Sequence, residues 1–386
     1  MYLEETPEEQ ALRSELRVYF AQLVTDEDRA ALDGEGEGGE VFRRLVRRMG
    51  ADGWLGVGWP KEYGGQGRPA TDQFIFFNEV QRARAPFPFV TLNTVGPTLM
   101  RFGTEEQKAA FLPGILAGDL NCAIGYTEPG AGTDLASLRT RAVEDGDEWV
   151  IDGNKIFTSG ADQADYIWLA ARTDPEAPKH KGISIFMVPT STPGFSWTPI
   201  VTVGGVATTA TYYDNVRVPR SALVGERNEG WRMITNQLNH ERVGLAAVSA
   251  LAQRLWAEVA GWALAHGRAD VGWVREDLAR SHALLEAQKL LNWRMAAAVA
   301  DDTLGPSDSS SVKVFGTETT IEVYRLLLGI VGSAGILSPG SPGAVLHGEL
   351  ERAARAAQIN TFGGGVNEIQ REILAMAGLG MKRSSR

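Results

Sequence analysis

The sequence predicts an α+β chain in three parts: a helical N-terminal domain, a middle antiparallel β-domain and a C-terminal helical bundle. Three observations predict it. Apolar residues recur at three- and four-residue steps up to about residue 120. From about Cys122 they fall in short β-branched or aromatic runs separated by turn residues, and from Asn228 the helical period returns. The expected domains are 1–120, 121–228 and 229–386, and a chain of 386 residues has room for such a division around a large core.

In the first part, Thr6-Pro7-Glu8-Glu9 reads as a helix start: a capping Thr, Pro in the first turn, then acids at the positive helix end. Further helices are expected near 40–49, 71–83, 90–102 and 104–117, with a loop at Gly64-Gly65-Gln66-Gly67. In the middle part, strands are expected at 121–128, 140–143, 149–151, 166–171, 183–188, 196–203 and 209–218. Asp145-Gly146 and Asp152-Gly153 are hairpin-type dipeptides, and Ser191-Thr192-Pro193-Gly194 is another connection. So many short strands suggest an antiparallel sandwich or barrel. In the last part, helices are expected at 231–255, 272–300, 308–330, 342–358 and 367–377, with several possible caps around Pro306-Ser307-Asp308-Ser309.

Composition narrows the function classes. A net charge of −10, with Lys and Arg spread along the chain, is not the basic footprint of a nucleic-acid binder. Cys122 is the one cysteine, so no intrachain disulfide and no cysteine-based zinc site can form; no His-Glu-x-x-His pair is present, and no metal is expected. The acidic N-terminus lacks the apolar core of a signal peptide. The most apolar uncharged run, 326–337, is too short and glycine-rich to span a bilayer. A cytoplasmic protein without a membrane segment is the expectation.

Two features suggest chemistry. On the 231–255 helix the apolar stripe runs through Trp231, Ile234, Leu238, Leu245, Val248 and Leu255, and Glu241 falls within it. A carboxylate there is either paired with a buried Arg or prepared by burial, which raises its pKa, to act as a general base. The second feature is Gly125-Tyr126-Thr127-Glu128-Pro129-Gly130-Ala131-Gly132-Thr133-Asp134. Its glycines would let backbone N–H groups approach an anion, with Thr127 and Thr133 adding hydroxyl donors. The spacing is not that of a dinucleotide-binding Gly-x-Gly-x-x-Gly, and a plain tight turn is the alternative.

This string, in this architecture, resembles the acyl-CoA dehydrogenase family, and the resemblance extends along almost the whole chain. Pro60-Lys61-Glu62-Tyr63-Gly64-Gly65, Gly103-Thr104-Glu105-Glu106-Gln107-Lys108, Lys155-Ile156-Phe157-Thr158-Ser159-Gly160 and Val216-Arg217-Val218-Pro219 match family segments in order. So do Val224-Gly225-Glu226 with Gly230-Trp231, and Gly363-Gly364-Gly365-Val366-Asn367-Glu368-Ile369-Gln370-Arg371. The resemblance implies FAD, with Tyr126, Thr127, Gly132 and Thr133 holding the flavin and its ribityl-diphosphate. Phe157 stands where the family usually has a Trp against the ring, and Ser159 where it has a Thr near N5.

Many family members carry the catalytic Glu where this chain has Gly364, and a glycine cannot take a proton. Others place it on the helix that opens the C-terminal domain, beside an Arg, and here Leu238-Asn239-His240-Glu241-Arg242 occupies that place. The resemblance thus makes Glu241 the base, Gly364 an N–H donor to the thioester oxygen, and Arg242, Gly363 and Gly365 substrate-binding. Two cofactor anchors depart from the pattern. The Arg-x-x-Phe-Gly segment is not recognisable around 265–273, and the Gln-x-x-Gly-Gly-x-Gly loop is reduced to Gly329-Ile330-Val331-Gly332-Ser333-Ala334-Gly335. Both serve a neighbouring subunit's FAD in the family. The chain therefore looks most like the Glu-bearing subunit of the heterotetrameric α2β2 steroid side-chain acyl-CoA dehydrogenases of actinobacteria. The implied activity is α,β-dehydrogenation of an acyl-CoA thioester with a bulky acyl group, electrons passing to an electron-transfer flavoprotein. A flavin oxidase or monooxygenase on the same fold, or a flavin-poor structural subunit, are the alternatives.

Overall fold

The computed structural model describes residues 5–35, 38–205, 207–237, 249–301 and 303–382. The N-terminal part consists of α1 (Pro7–Leu23), α2 (Asp26–Glu35), α3 (Glu40–Ala51), α4 (Ala70–Ala83), α5 (Gly96–Phe102) and α6 (Glu105–Ala117). α1 starts as its sequence dictates: the Thr6 hydroxyl accepts from Glu9 N–H while the Glu9 carboxylate accepts from Thr6 N–H. α6 repeats this capping box with Thr104 and Gln107. Gln107 also donates at 2.8 Å to the carbonyls of Ser221 and Leu223, which ties the helix to the far end of the β-domain. α2 has no counterpart among the expected helices.

The middle part is an eight-stranded sheet: β1 (Cys122–Gly125), β2 (Arg141–Asp145), β3 (Glu148–Ile156), β4 (Tyr166–Arg172), β5 (Ile183–Pro189), β6 (Phe195–Val201), β7 (Ala207–Pro219) and β8 (Leu223–Val224). The order is β6-β7-β3-β2-β4-β5-β8, with β1 beside β4. Pairing is antiparallel except along β4, whose contacts with β1 and β2 are parallel. Asp145-Gly146 forms the expected hairpin between β2 and β3. Asp152-Gly153 does not turn the chain. It is an irregularity inside β3, where the register against β7 shifts between Ile151 and Gly153. Gly153 has φ +148°, and a Cβ there would come within 2.6 Å of Thr140 Oγ1. The glycine serves close packing rather than a turn.

The central strands β4 and β5 are buried on both faces, whereas β2 and β6 are largely exposed. Along β4, Trp168 and Ala170 point into a core shared with Phe76 and Leu99, while Ile167 and Leu169 join Ile151, Phe186 and Val216 on the other side. The C-terminal part consists of a short helix at 230–237 (α7), α8 (Ser249–Ala265), α9 (Gly272–Ala300), α10 (Pro306–Val331), α11 (Glu349–Ala356) and α12 (Asn367–Ile373). α9 has the bounds the sequence predicts. The helix expected at 342–358 is shorter. Leu346, His347 and Gly348 all take positive φ, and residues 338–339 pass so close to Gly348 that a Cβ there would meet Pro339 N at 2.5 Å. By length and composition α10 with its extension, Pro306–Ile336, is apolar enough to cross a membrane. It is packed against α8, α9, α11 and α12, and half of its most apolar window is buried, which is the setting of a bundle's central helix.

Candidate active site

The glycine loop after β1 is built on a buried ion pair. Glu128 accepts from Arg139 N–H at 2.7 Å, from Thr140 N–H at 2.8 Å and from Lys155 Nζ at 2.8 Å. Lys155 on β3 is fully buried and also donates to the Tyr126 carbonyl at 3.0 Å. Burial pulls the Lys155 ammonium down to about 8, against the opposing charge of Glu128. Burial likewise works against the Glu128 charge, but Lys155 and the two N–H groups outweigh it and hold the carboxyl below its ordinary value. Glu128 is thus a structural residue. Above it, Glu128 and Ala131 exchange two backbone hydrogen bonds of 3.0 Å, closing a tight turn over Pro129-Gly130.

What this foundation leaves open is a bare stretch of backbone. Gly132 and Thr133 are exposed, a Cβ at 130 would meet nothing within 4 Å, and one at 132 only Thr127 Cγ2 at 3.7 Å. Ile156 N–H donates to the Thr127 carbonyl at 2.8 Å, which sets the end of β3 beside the loop. There Phe157 sits at φ +62° with 60 % of its surface exposed. A left-handed aromatic residue is strained by an energy on the order of 1 kcal/mol or more. It is held so by Thr158, whose N–H and C=O bond to Thr209 at 3.0 and 2.6 Å. A presented aromatic ring beside uncovered backbone fits a flat heteroaromatic group with an anionic tail, as FAD is. Ser159 is exposed, but its hydroxyl donates to Thr208 Oγ1 at 2.9 Å, so offering that proton to a ligand requires Thr208 to become the donor.

Tyr126 is held at its hydroxyl by two partners. Its hydroxyl accepts from Trp168 Nε1 at 2.8 Å, and because an indole N–H only donates, the Tyr126 proton goes to Gln237 Oε1, also at 2.8 Å. The side chain therefore joins the loop to α7, and Tyr126 meets the loop through its backbone. Gln237 is buried and lies four residues before Glu241 in the sequence. Glu241 and Arg242 themselves lie outside the described residues.

The second loop, 361–365, carries the glycine triplet, with Gly364 at φ +68° and Gly365 at φ +94°. Lys313 on α10 clamps it, donating to the carbonyls of Thr361 at 3.2 Å and Gly365 at 2.7 Å and to Asn367 Oδ1 at 2.6 Å. Asn367 in turn donates to Glu318 at 3.0 Å, which Arg371 also grips at 2.7 and 2.8 Å. Desolvation brings Lys313 down to about 8, against the charges of Glu368 and Glu318. Neither Lys313 nor Gln237 stands out in sequence, since one is a single Lys on an apolar helix and the other a single Gln beside a Leu. Gly363 and Gly364 line a cavity of about 380 Å³ together with Val90, Ile124 at the end of β1, and residues of α9 and α10. A larger groove of about 1020 Å³ lies between α1, α4 and α8, walled by arginines and their acidic partners, and shares no residue with either loop.

Around 265–273, where the Arg-x-x-Phe-Gly segment is not recognisable, the chain reads Arg268-Ala269-Asp270-Val271-Gly272. The Arg268 guanidinium lies 5.9 Å from the ring centre of Trp262 and 5.8 Å from that of Trp273, and its Nη1 would be 3.9 Å from a Cβ on Gly332. It thus stands against the reduced 329–335 segment.

A sheet between two helical parts, a glycine loop with a presented aromatic ring, and a cavity lined by Ile124 of β1 and by the left-handed glycine turn fit a flavin-dependent acyl-thioester oxidoreductase. The profiles for the acyl-CoA dehydrogenase N-terminal, middle and C-terminal domains match residues 6–119, 123–216 and 228–379. The chain belongs to the acyl-CoA dehydrogenase family, whose members are FAD-dependent flavoproteins. Acyl-CoA dehydrogenase FadE26 of Mycobacterium tuberculosis is 52 % identical over 400 residues, covering both chains in full. Among solved structures, the Tcur3481-Tcur3483 steroid ACAD matches with a TM-score of 0.97 at 61 % identity over 100 % of both chains. The ChsE4-ChsE5 complex from Mycobacterium tuberculosis matches with a TM-score of 0.94 at 52 % identity, again over 100 % of both chains.

Two outcomes are expected from this geometry. Lys155→Met strands a buried carboxylate and should lower stability by about 3–5 kcal/mol in denaturant unfolding, with Lys155→Met/Glu128→Gln recovering part of the loss. Lys313 holds three acceptors only while protonated, so the wild-type kcat/KM should decline as pH rises through about 8. A pH profile of Lys313→Arg, whose guanidinium keeps its charge, should lack that limb.

Proposed function

We propose that this chain is the base-bearing subunit of a heteromeric acyl-CoA dehydrogenase acting on a bulky, steroid side-chain or branched, acyl-CoA. The observation that carries the proposal is the cavity shared by Ile124, at the foot of the flavin loop, and by Gly363 and Gly364. It supports a substrate whose reacting carbons lie between cofactor and glycine turn. The assigned roles are Glu241 taking the α-proton and Gly364 N–H donating to the thioester oxygen, where enolate charge develops. Arg242, Gly363 and Gly365 would flank the acyl-CoA. Tyr126, Thr127, Gly132 and Thr133 would hold FAD, Phe157 facing its ring and Ser159 its edge. When bound, FAD supplies the acceptor for the β-hydrogen, taken as hydride at N5. Domains 1–120, 121–228 and 229–386 divide these tasks: walls, cofactor, and base with subunit contacts.

The partner proposal rests on the anchors. The 329–335 segment has Gly329 where the family has Gln and Ser333 where it has Gly, and the Arg-x-x-Phe-Gly segment is not recognisable around 265–273. A chain of this kind receives its adenosine-side contacts from a sister acyl-CoA dehydrogenase subunit, giving α2β2. The heteromeric steroid acyl-CoA dehydrogenase structures it resembles support that arrangement. An electron-transfer flavoprotein would reoxidise the flavin, in the cytoplasm.

Glu241→Gln in the co-expressed heteromer should keep its flavin absorbance and lose roughly a thousandfold or more in rate. Substrate bleaching of the flavin at a near-wild-type rate would remove Glu241 as the base. Expressed without a sister subunit, the chain should purify with little FAD. A stable homotetramer with one FAD per chain and full turnover would refute the heteromer.

A further inference from the structure

The groove of about 1020 Å³ between α1, α4 and α8 takes no part in the dehydrogenation reading, and its charges do not balance. Six arginines line it against four carboxylates, in a chain whose net charge is −10. The carboxylates are already shared. Glu79 pairs with Arg17 at 3.1 Å and with Arg13 at 2.7 Å, while Glu349 pairs with Arg254 and, at 3.5 Å, with Arg84. Glu258 pairs with Arg254 at 2.7 Å, and the exposed Asp26 with Arg29 at 2.6 Å. Arg82, in the last turn of α4, is half-buried, and its guanidinium has no hydrogen-bond or ion-pair partner among the described residues. Burial, then the like charges of Arg17, Arg254 and Arg13, hold it below its ordinary value against the attraction of Glu79.

The backbone points to the same place. Six non-glycine residues among those described take left-handed φ. Asn215 and Asn228 are of a type that tolerates it, and Phe157 belongs to the flavin loop. The other three, Arg84 at +54°, Leu346 at +50° and His347 at +55°, all line this groove. Strained residues gather where a ligand is clamped, and here one closes α4 while two precede α11.

A half-buried cation without a counter-charge is stabilised by an anion from outside. The guanidinium fork matches carboxylate and phosphate alike, but an excess of two positive charges suits a dianion. A phosphoryl group carries about −1.5 to −2 at neutral pH. The groove is also as large as sites for organic ligands, which run to roughly 1,000 Å³. We propose that it is a binding site for the phosphoryl group of a small molecule, gripped by Arg82. α9 separates this site from the acyl cavity: Gln288, Asn292 and Met295 line the cavity, whereas Lys289 and Trp293 line a cleft that shares Arg17 and Arg82 with the groove. The proposal therefore does not rest on the dehydrogenase reading.

The test titrates pyrophosphate, ADP and inorganic phosphate, at matched ionic strength, into the flavin-loaded enzyme and its Arg82→Gln variant. Wild type should bind at least one of them with an affinity that Arg82→Gln lowers by about tenfold or more, the worth of a charge-assisted hydrogen bond. Binding at the flavin or acyl-CoA sites is common to both proteins and cancels in the comparison. ADP ahead of inorganic phosphate identifies an organic phosphate and equal affinities free phosphate; either supports the site. Without added anion, Arg82→Gln should melt no lower than wild type, because it breaks no contact and relieves repulsion. A lower melting temperature would show Arg82 already partnered and would overturn the proposal. So would equal affinities in the two proteins, no binding in either, or binding of a poly-glutamate peptide where no phosphate compound binds.

Discussion

The Lys155–Glu128 pair is the constraint on which the cofactor side of the molecule depends. A fully buried ammonium is tolerable only with a counter-charge and further acceptors, and here Glu128 and the Tyr126 carbonyl supply both. That demand fixes β3 against the loop after β1. The two backbone N–H groups of residues 139 and 140 on the same carboxylate fix the loop's return. The loop's outer backbone stays free because its inner side is so fully engaged. An interaction that contributes little net stability compared with apolar packing thus decides which surface is left for a ligand.

On the other side of the cavity α10 plays the corresponding part. Within six residues it presents Lys313 to the glycine turn, Gly316 to Gln288, and Glu318 to Asn367 and Arg371. The left-handed glycines at 364 and 365 have few internal constraints of their own, so their position is set by this helix. α10 is in turn set by α8, α9 and α11, whose apolar faces, with Leu255, Leu285 and Leu350, close around Val323 and Leu327. Rigidity passes from the bundle core to the turn through a handful of polar side chains.

Much of this architecture was legible in the sequence where one residue type has one strong local preference. The Thr6 cap, the hairpin at Gly146 and the span of α9 follow from capping and periodicity alone. Asp152-Gly153 was misleading because the same dipeptide serves a turn or a bulge, and only the approach of Thr140 decides between them. The break before α11 was hidden for a similar reason: the crowding by residues 338–339 is a tertiary event. At the site, the glycines and Phe157 could be found by pattern, whereas Gln237, Lys313 and Gln288 could not. Their roles come from what lies across a helix interface, which no single-chain spacing encodes.

Phe157 gives cofactor loading a thermodynamic meaning. Its ring lies outside both cores of the sheet, and its backbone is held in an unfavourable conformation by Thr209. A flat ligand settling on that ring buries apolar surface that the polypeptide alone leaves wet, and it binds only the native arrangement. Folding and flavin uptake are therefore linked equilibria: the apparent melting temperature of the chain should track free cofactor concentration, and cells short of flavin would hold less of the protein, not merely less of its activity.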